Sequence, residues 1–401
     1  MTGKSGGSVL GGALLVAGSC IGVGMLALPI LTGLAGFFPA LLMFLTAWIF
    51  TTVSGLYLVE VNGWFSEKVN LLSMATLTFG RFGRTLSWVL YLFLFYALMV
   101  AYITGSGDLG STFLGATFSA HLPIWLCSLF FVIFFGWLIY LGTRPVDLWN
   151  RFLMAGKIIA YIGMVALGVK YVMPQMLLRT EASEMFLSLP VLVIAFGYQN
   201  MIPTLVSYMN GDLKKTRKTI LIGSLFVLVV YVIWEVIVLG IVPLEGPSGI
   251  KESLSMDKEA SQAVAGILRS SWVGTFAQAL AFFAILTSFL AQGLSLVHFL
   301  ADGFKIRGKN RESGWLCALA LLPPLVLSLI YPQLFFKALN FAGGICTMIL
   351  FGLLPVAMVW MGRYKKQVAS KYQVPGGKPL LIGVFLFSLC ILFFQLSKML
   401  T

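Results

Sequence analysis

The chain has 401 residues, 59% of them hydrophobic and only 10% charged. A soluble globular domain runs about 45–50% apolar and about 25% charged, so these proportions exclude a cytosolic enzyme, a nucleic-acid-binding module and a disordered chain. The formal charge of +13, from 27 basic and 14 acidic residues, sits in loops between apolar runs. That is the pattern of a positive-inside membrane topology and not of a nucleic-acid partner.

At about 20 residues per spanning helix, the length holds at most about a dozen spans. Residues 5–59 contain no Asp, Glu, Lys or Arg and hold two helices separated by the Gly and Pro punctuation of 33–39. The first run is longer than the apolar region of a signal peptide, meets a second directly and has no A-x-A-like site, so it reads as a retained helix. Further spans are predicted over about 86–107, 123–142, 152–172, 187–209, 219–243, 272–297, 313–331, 334–361 and 379–397, which makes eleven. Twenty basic residues, from Lys4, Lys68 and Arg81 to Lys371 and Lys378, fall at one set of span ends and seven at the other. This bias puts the N-terminus in the cytoplasm and, with an odd number of spans, the C-terminus outside. The longest outer loop, about 244–271, carries Glu245, Glu252, Asp257 and Glu259 and shows no soluble domain. The five cysteines (Cys20, Cys127, Cys317, Cys346, Cys390) lie in apolar runs without metal-ligand spacing and read as single packed thiols. With only His121 and His298, a histidine metal site is not expected.

Two spans carry flaws in corresponding places. The first contains Gly18-Ser19-Cys20-Ile21-Gly22-Val23-Gly24, and the sixth contains Phe196-Gly197-Tyr198-Gln199-Asn200-Met201-Ile202-Pro203. Glycine weakens a helix, and proline removes a donor and clashes with the preceding turn. Each flaw alone also fits plain helix packing, and Gly18 and Gly22 have the small-xxx-small spacing. Together they open the two sets of five spans, 1–5 and 6–10. Sets of odd number insert with opposite topology, so the pair matches an inverted-repeat transporter whose discontinuous helices bind the substrate. Where a helix stops and restarts, unpaired amides suit a carboxylate and unpaired carbonyls suit an ammonium. An amino acid presents both groups. Ser19, Gln199 and Asn200 add polar contacts.

The run Gly18-Ser19-Cys20-Ile21-Gly22-Val23-Gly24-Met25-Leu26-Ala27-Leu28-Pro29 resembles the first-helix signature of the hydroxy/aromatic amino acid permease family, within the amino acid–polyamine–organocation superfamily. Phe196-Gly197-Tyr198-Gln199 with Pro203, and Thr287-Ser288-Phe289-Leu290 followed by Leu300-Ala301-Asp302-Gly303, extend the likeness to nearly the whole chain. Cys20 departs from the family, which often has Thr there. The resemblance implies an all-α, leucine-transporter-like 5+5 inverted repeat with broken helices 1 and 6. Repeat one spans about 8–172, repeat two about 187–361, and an extra helix about 379–397, all in a single transporter domain. It further implies multi-pass insertion in the bacterial inner membrane and import of tyrosine or tryptophan by proton symport with alternating access. The partners expected are an amino acid substrate and the bilayer, with no cofactor. Implied substrate contacts are Ser19, Cys20, Gly22, Val23, Gly24, Gly197, Gln199, Asn200 and Ser288, with Tyr96, Tyr102, Phe196 and Phe289 as the aromatic residues nearest the substrate.

Lys157, Glu235 and Thr287 are the candidates for ion coupling. Lys157 lies about a turn and a half inside the fifth span, where it either snorkels to the interface or serves as a proton-linked amine. Glu235 lies well inside the seventh span and is either a proton carrier or a hydrogen-bonded structural acid. Thr287 and Ser288 resemble the hydroxyl pair of a sodium site, although membrane hydroxyls more often bond their own helix. Glu60 and Asp302, at cytoplasmic helix ends, read as gate salt bridges or as solvated charges, with solvation favoured. A sodium-coupled or exchange-type carrier of other neutral amino acids is the alternative. A channel would need a repeated filter or charged rings, and an enzyme would need a convergent nucleophile, base or metal ligands. No G-x-x-x-x-G-K-[ST] motif is present, so the transport expected is secondary.

Overall fold

The computed structural model describes residues 7–65, 69–118, 122–268, 272–306, 314–368 and 372–400. Among these the regular structure is helical, with no strand. Of the charges behind the predicted orientation, Lys4, Lys68, Arg269, Arg307, Lys309, Arg311 and Lys371 lie outside the described residues, as does His121.

The chain opens with α1 (Val9–Cys20) and α2 (Val23–Thr32), whose axes bend by 60° at the intervening break. There follow α3 (Phe37–Asn62), the long α4 (Leu71–Phe118, kinked at Gly80), α5 (Ile124–Tyr140), α6 (Thr143–Gly168) and the short α7 (Pro174–Leu177). The second half begins with α8 (Leu189–Ala195) and α9 (Ile202–Tyr208), again separated by a break. It continues through α10 (Leu213–Ile241), α11 (Ile250–Ser255), α12 (Ala260–Ile267), α13 (Trp272–Gly303) and α14 (Gly314–Ile330). α15 (Phe335–Phe341) runs through a π-helical stretch, Ala342–Leu353, into α16 (Leu354–Trp360), and α17 (Gly377–Leu400) closes the chain. Eight described helices are long and apolar enough to cross a membrane, and the bent α1–α2 pair makes a ninth. α5 and α14 are apolar but shorter, at 17 residues each. The chain is a multi-pass membrane protein.

Several helices outrun the apolar windows that predicted them. α6 begins at Thr143, well before residue 152, because Asp147 and Arg151 pair at 2.8 Å across one turn on its solvated face. Charges end an apolar run without ending a helix. Gly80 adopts φ 67°, a left-handed value that glycine reaches freely, and the kink separates the start of α4 from its apolar part.

α6 lies along α13, α1 and α3 pack on α10, and α4 packs between α5 and α13. Both faces of the bundle are tied. At the face where α1 begins, the Gly7 amide donates to the Tyr208 carbonyl at 2.8 Å. There Glu60 is also buried, gripped by Arg363 through Nε at 2.6 Å and by the Val374 amide at 2.8 Å. The solvated reading of Glu60 is corrected by this pair, whereas Asp302 is exposed. At the opposite face the Arg179 guanidinium donates to the carbonyls of Gly33 and Leu34. The predicted outer loop is folded there into α11 and α12, which pack against α2. None of the five cysteines is in a disulfide, and Cys390 alone of them is exposed.

Asp257, between α11 and α12, accepts the amides of Phe335 at 2.6 Å and Phe336 at 3.0 Å, capping α15. Burial pushes its carboxyl up from 3.8 to about 6, against the pull of those amides. Burial likewise pushes Glu259 up from 4.5 to about 7. Acids whose folded values are raised bind protons more tightly in the native state, so their contribution is full below the unfolded values and lost as pH rises through the folded ones. Wild-type protein in detergent should therefore lose more thermal stability than Asp257→Asn between about pH 5 and about pH 8. Equal losses in a thermal-shift series would contradict the raised value.

Candidate functional site

Where α1 stops, Ile21 (φ −72°, ψ 83°) leaves the helical region, Gly22 (φ −144°, ψ −150°) is extended, and α2 restarts with no side-chain cap. Any residue can adopt the Gly22 backbone, but a Cβ there would lie 2.6 Å from Ser288 Oγ. A Cβ on Gly24 would meet Ala195 Cα and Cβ at 3.0 Å. Ala195 ends α8, so these glycines let the two broken spans and α13 converge.

The interrupted backbone is satisfied from neighbouring helices. Tyr231 of α10 places its hydroxyl 2.7 Å from the Cys20 carbonyl and 2.8 Å from the Ala195 carbonyl, so one buried phenol bridges both breaks and shares its single hydrogen between them. Lys157 of α6 is buried and donates to the Ile21 carbonyl at 2.5 Å, with Thr287 Oγ1 at 3.4 Å. In hydrocarbon such carbonyls cannot be left bare, which is why irregular backbone at this depth must be clothed by protein or line a polar cavity.

A cavity of about 410 Å³ lies between the breaks. It is lined by Ser19, Cys20, Gly22, Val23, Gly24, Gly197, Asn200, Thr287, Ser288 and Tyr102, all of them read from the sequence as site residues. It continues past Leu14, Asn150 and Ser295 toward the face where α1 begins. On the other side the Arg179 contacts and the α11–α12 cover lie over α2. The uncapped first turn of α2 brings amides with partial positive charge to the wall at Val23 and Gly24.

Six expected residues stand outside the cavity lining. Phe196 turns its ring edge-on to Tyr231 at 5.0 Å, closing the end of α8. Phe289 follows Ser288 by about 100° of helical rotation, and its ring meets Phe131 of α5 at 4.8 Å. Gln199 donates to the Thr51 carbonyl at 3.3 Å, and Tyr96 donates to the Leu319 carbonyl at 2.8 Å. Lys157 sits behind the break, and Glu235 Oε1 meets the Thr32 hydroxyl. The aromatic residues that line the cavity are the expected Tyr102 with Tyr91 and Phe95 on α4, and Phe351 facing them from the π-helical stretch. Their spacing on α4 gives one helical face and was legible. Choosing that face over the one with Tyr96 was not. Tyr231 carried no signal, because its importance comes from what lies across from it.

Discontinuous helices with a cavity at their junction are the features of a membrane transporter. The tryptophan/tyrosine permease family model matches residues 5–395, and the chain belongs to that family. It is 31% identical to the tyrosine-specific transport system 1 of Haemophilus influenzae, over 95% of each chain. It is also 31% identical to tyrosine-specific transport system 2 of the same organism, over 93% of this chain and 94% of the relative. To that organism's tryptophan-specific transport protein it is 29% identical, over 95% and 94%. It is a transporter and not an enzyme.

Because Gly24 touches α8 directly, Gly24→Leu should drive the two breaks apart and lower substrate uptake by about tenfold or more, equivalent to at least about 1.4 kcal/mol, with membrane insertion retained. Wild-type uptake by a well-expressed variant would remove Gly24 from the site.

Proposed function

We propose that this permease imports aromatic amino acids, tyrosine or tryptophan, across the bacterial inner membrane by proton symport. The single observation that carries the reading is the convergence of both breaks on one cavity beside an uncapped helix start. The amides of Val23 and Gly24 suit the substrate carboxylate, and the carbonyls at the ends of α1 and α8 suit its ammonium. Tyr91, Phe95, Tyr102 and Phe351 supply the apolar walls that an aromatic side chain requires. The names of the relatives, two tyrosine-specific and one tryptophan-specific, favour the same substrates.

The architecture we infer is eleven spans in a 5+5 inverted repeat with an extra helix. Counting α5, α14 and the bent pair with the eight long helices gives that number. The packing supports the repeat. α1 on α10 is mirrored by α8 on α3, α6 on α13 by α15 on α4, and α4 on α5 by α13 on α14. With the basic loops cytoplasmic, the cavity opens inward and the conformation is the substrate-releasing one.

Lys157 is the coupling group in this reading. Its ammonium joins the Ile21 carbonyl to the Thr287 hydroxyl, so an amine holds the broken helix to α13 as a bound cation would. This contact favours proton over sodium coupling. Lys157→Met should keep counterflow of labelled substrate in proteoliposomes and lose accumulation driven by a pH gradient. Sodium-dependent accumulation indifferent to a protonophore would contradict the proton. The substrate class is tested by competition among all twenty amino acids. Tyrosine or tryptophan should outcompete alanine and serine by at least about tenfold, and the reverse order would reject the aromatic reading.

A further inference from the structure

One face of α10 grips the broken first span at three points. Tyr231 meets the Cys20 carbonyl, Trp234 Nε1 donates to the Met25 carbonyl at 2.9 Å, and Glu235 meets Thr32. These grips fall at the end of α1, the first turn of α2 and the last residue of α2. Two of them donate to backbone oxygens, Tyr231 sharing its hydrogen between Cys20 and Ala195. The third is different.

The Thr32 hydroxyl has one hydrogen. It lies 2.7 Å from the Leu28 carbonyl, an acceptor only, and it also contacts Glu235 Oε1. One hydrogen shared between two acceptors serves each only in part, and a proton on Glu235 Oε1 provides a second. The other carboxyl oxygen, Oε2, is buried with no hydrogen-bond partner among the described residues, and Glu235 is 1% exposed. An ionised carboxylate would face this depth with one shared hydrogen and no paired cation among the described residues, at a large cost. A neutral acid donates to Thr32, lets Thr32 donate to Leu28, and leaves one carbonyl oxygen unbonded.

Ionisable groups on the surrounding elements are committed elsewhere. The Tyr161 hydroxyl of α6 donates to the Val230 carbonyl, and Arg179 holds Gly33 and Leu34. Glu60 of α3 pairs with Arg363, Glu259 of α12 accepts from Ser261, and Tyr231 is occupied at the breaks.

We propose that Glu235 is a proton-binding site of the transport cycle, its neutral carboxyl fastening the end of α2 to α10 and releasing α2 when the proton leaves. The proton passes between Oε1 and water admitted as the two helices part. This site is separate from Lys157 and rests on the alternating-access reading above.

Glu235→Gln keeps a donor for Thr32 but cannot titrate. In reconstituted protein at neutral pH, the infrared difference between wild type and Glu235→Gln should contain the carbonyl stretch of a neutral carboxylic acid. That band should move in Thr32→Val, which removes the acceptor. Counterflow of whichever amino acid the wild type carries should persist in Glu235→Gln and lose the wild-type dependence on pH. A difference spectrum holding only carboxylate bands overturns the proposal, and so does an unchanged pH profile in the variant. The spectrum needs no substrate, so failure of the aromatic assignment leaves this test intact. If Glu235→Gln does not fold, the Thr32→Val spectrum decides alone: the acid band moves, or the proposal fails.

Discussion

Two interrupted helices in an apolar medium leave backbone carbonyls that water cannot reach, and the rest of the site follows from how those carbonyls are satisfied. Tyr231 is the common answer, lying within hydrogen-bond distance of both Cys20 and Ala195. A single phenol between two chain ends couples them. Whatever shifts α8 relative to α1 must exchange one of those contacts for another. Lys157 adds a second brace at Ile21. The breaks are thereby held open enough for a ligand without exposing bare polar backbone to lipid.

Glycine sets how close the braces can bring the helices. Gly22 clears Ser288, and Gly24 clears Ala195. Neither position needs a left-handed backbone, so the demand is for space. The same economy recurs away from the cavity. A Cβ on Gly343 would strike the Pro190 carbonyl, and one on Gly352 would meet the Ser388 hydroxyl. The π-helical stretch is thus packed against α8 on one side and α17 on the other.

Much of this was legible in the sequence. The apolar runs placed the helices, and the Gly and Pro clusters at 18–24 and 196–203 placed both breaks, because these residues cost a helix most. The boundaries were less legible where solvated ion pairs such as Asp147–Arg151 carry helix beyond the apolar window. The residues expected at the breaks, such as Ser19, Gly22, Gly24 and Gly197, line the cavity because the breaks converge there. The side-chain walls were read less well. Phe196 and Phe289 belong to the right segments but point away, and Tyr91, Phe95 and Phe351 take their place. Segment membership follows from pattern, but the facing direction is set by tertiary packing. Glu60 shows the same limit: only the fold brings Arg363 beside it.

The central claim is that the junction of the two breaks is where the amino acid binds, reached from the cytoplasmic face in this conformation. Ser19 is exposed and lines that junction, so it can report directly. In a background with the five native cysteines replaced, Ser19→Cys should react with a membrane-impermeant thiol reagent applied to inside-out vesicles, and tyrosine or tryptophan should slow the reaction. Labelling at the same rate with and without a transported amino acid would contradict the account.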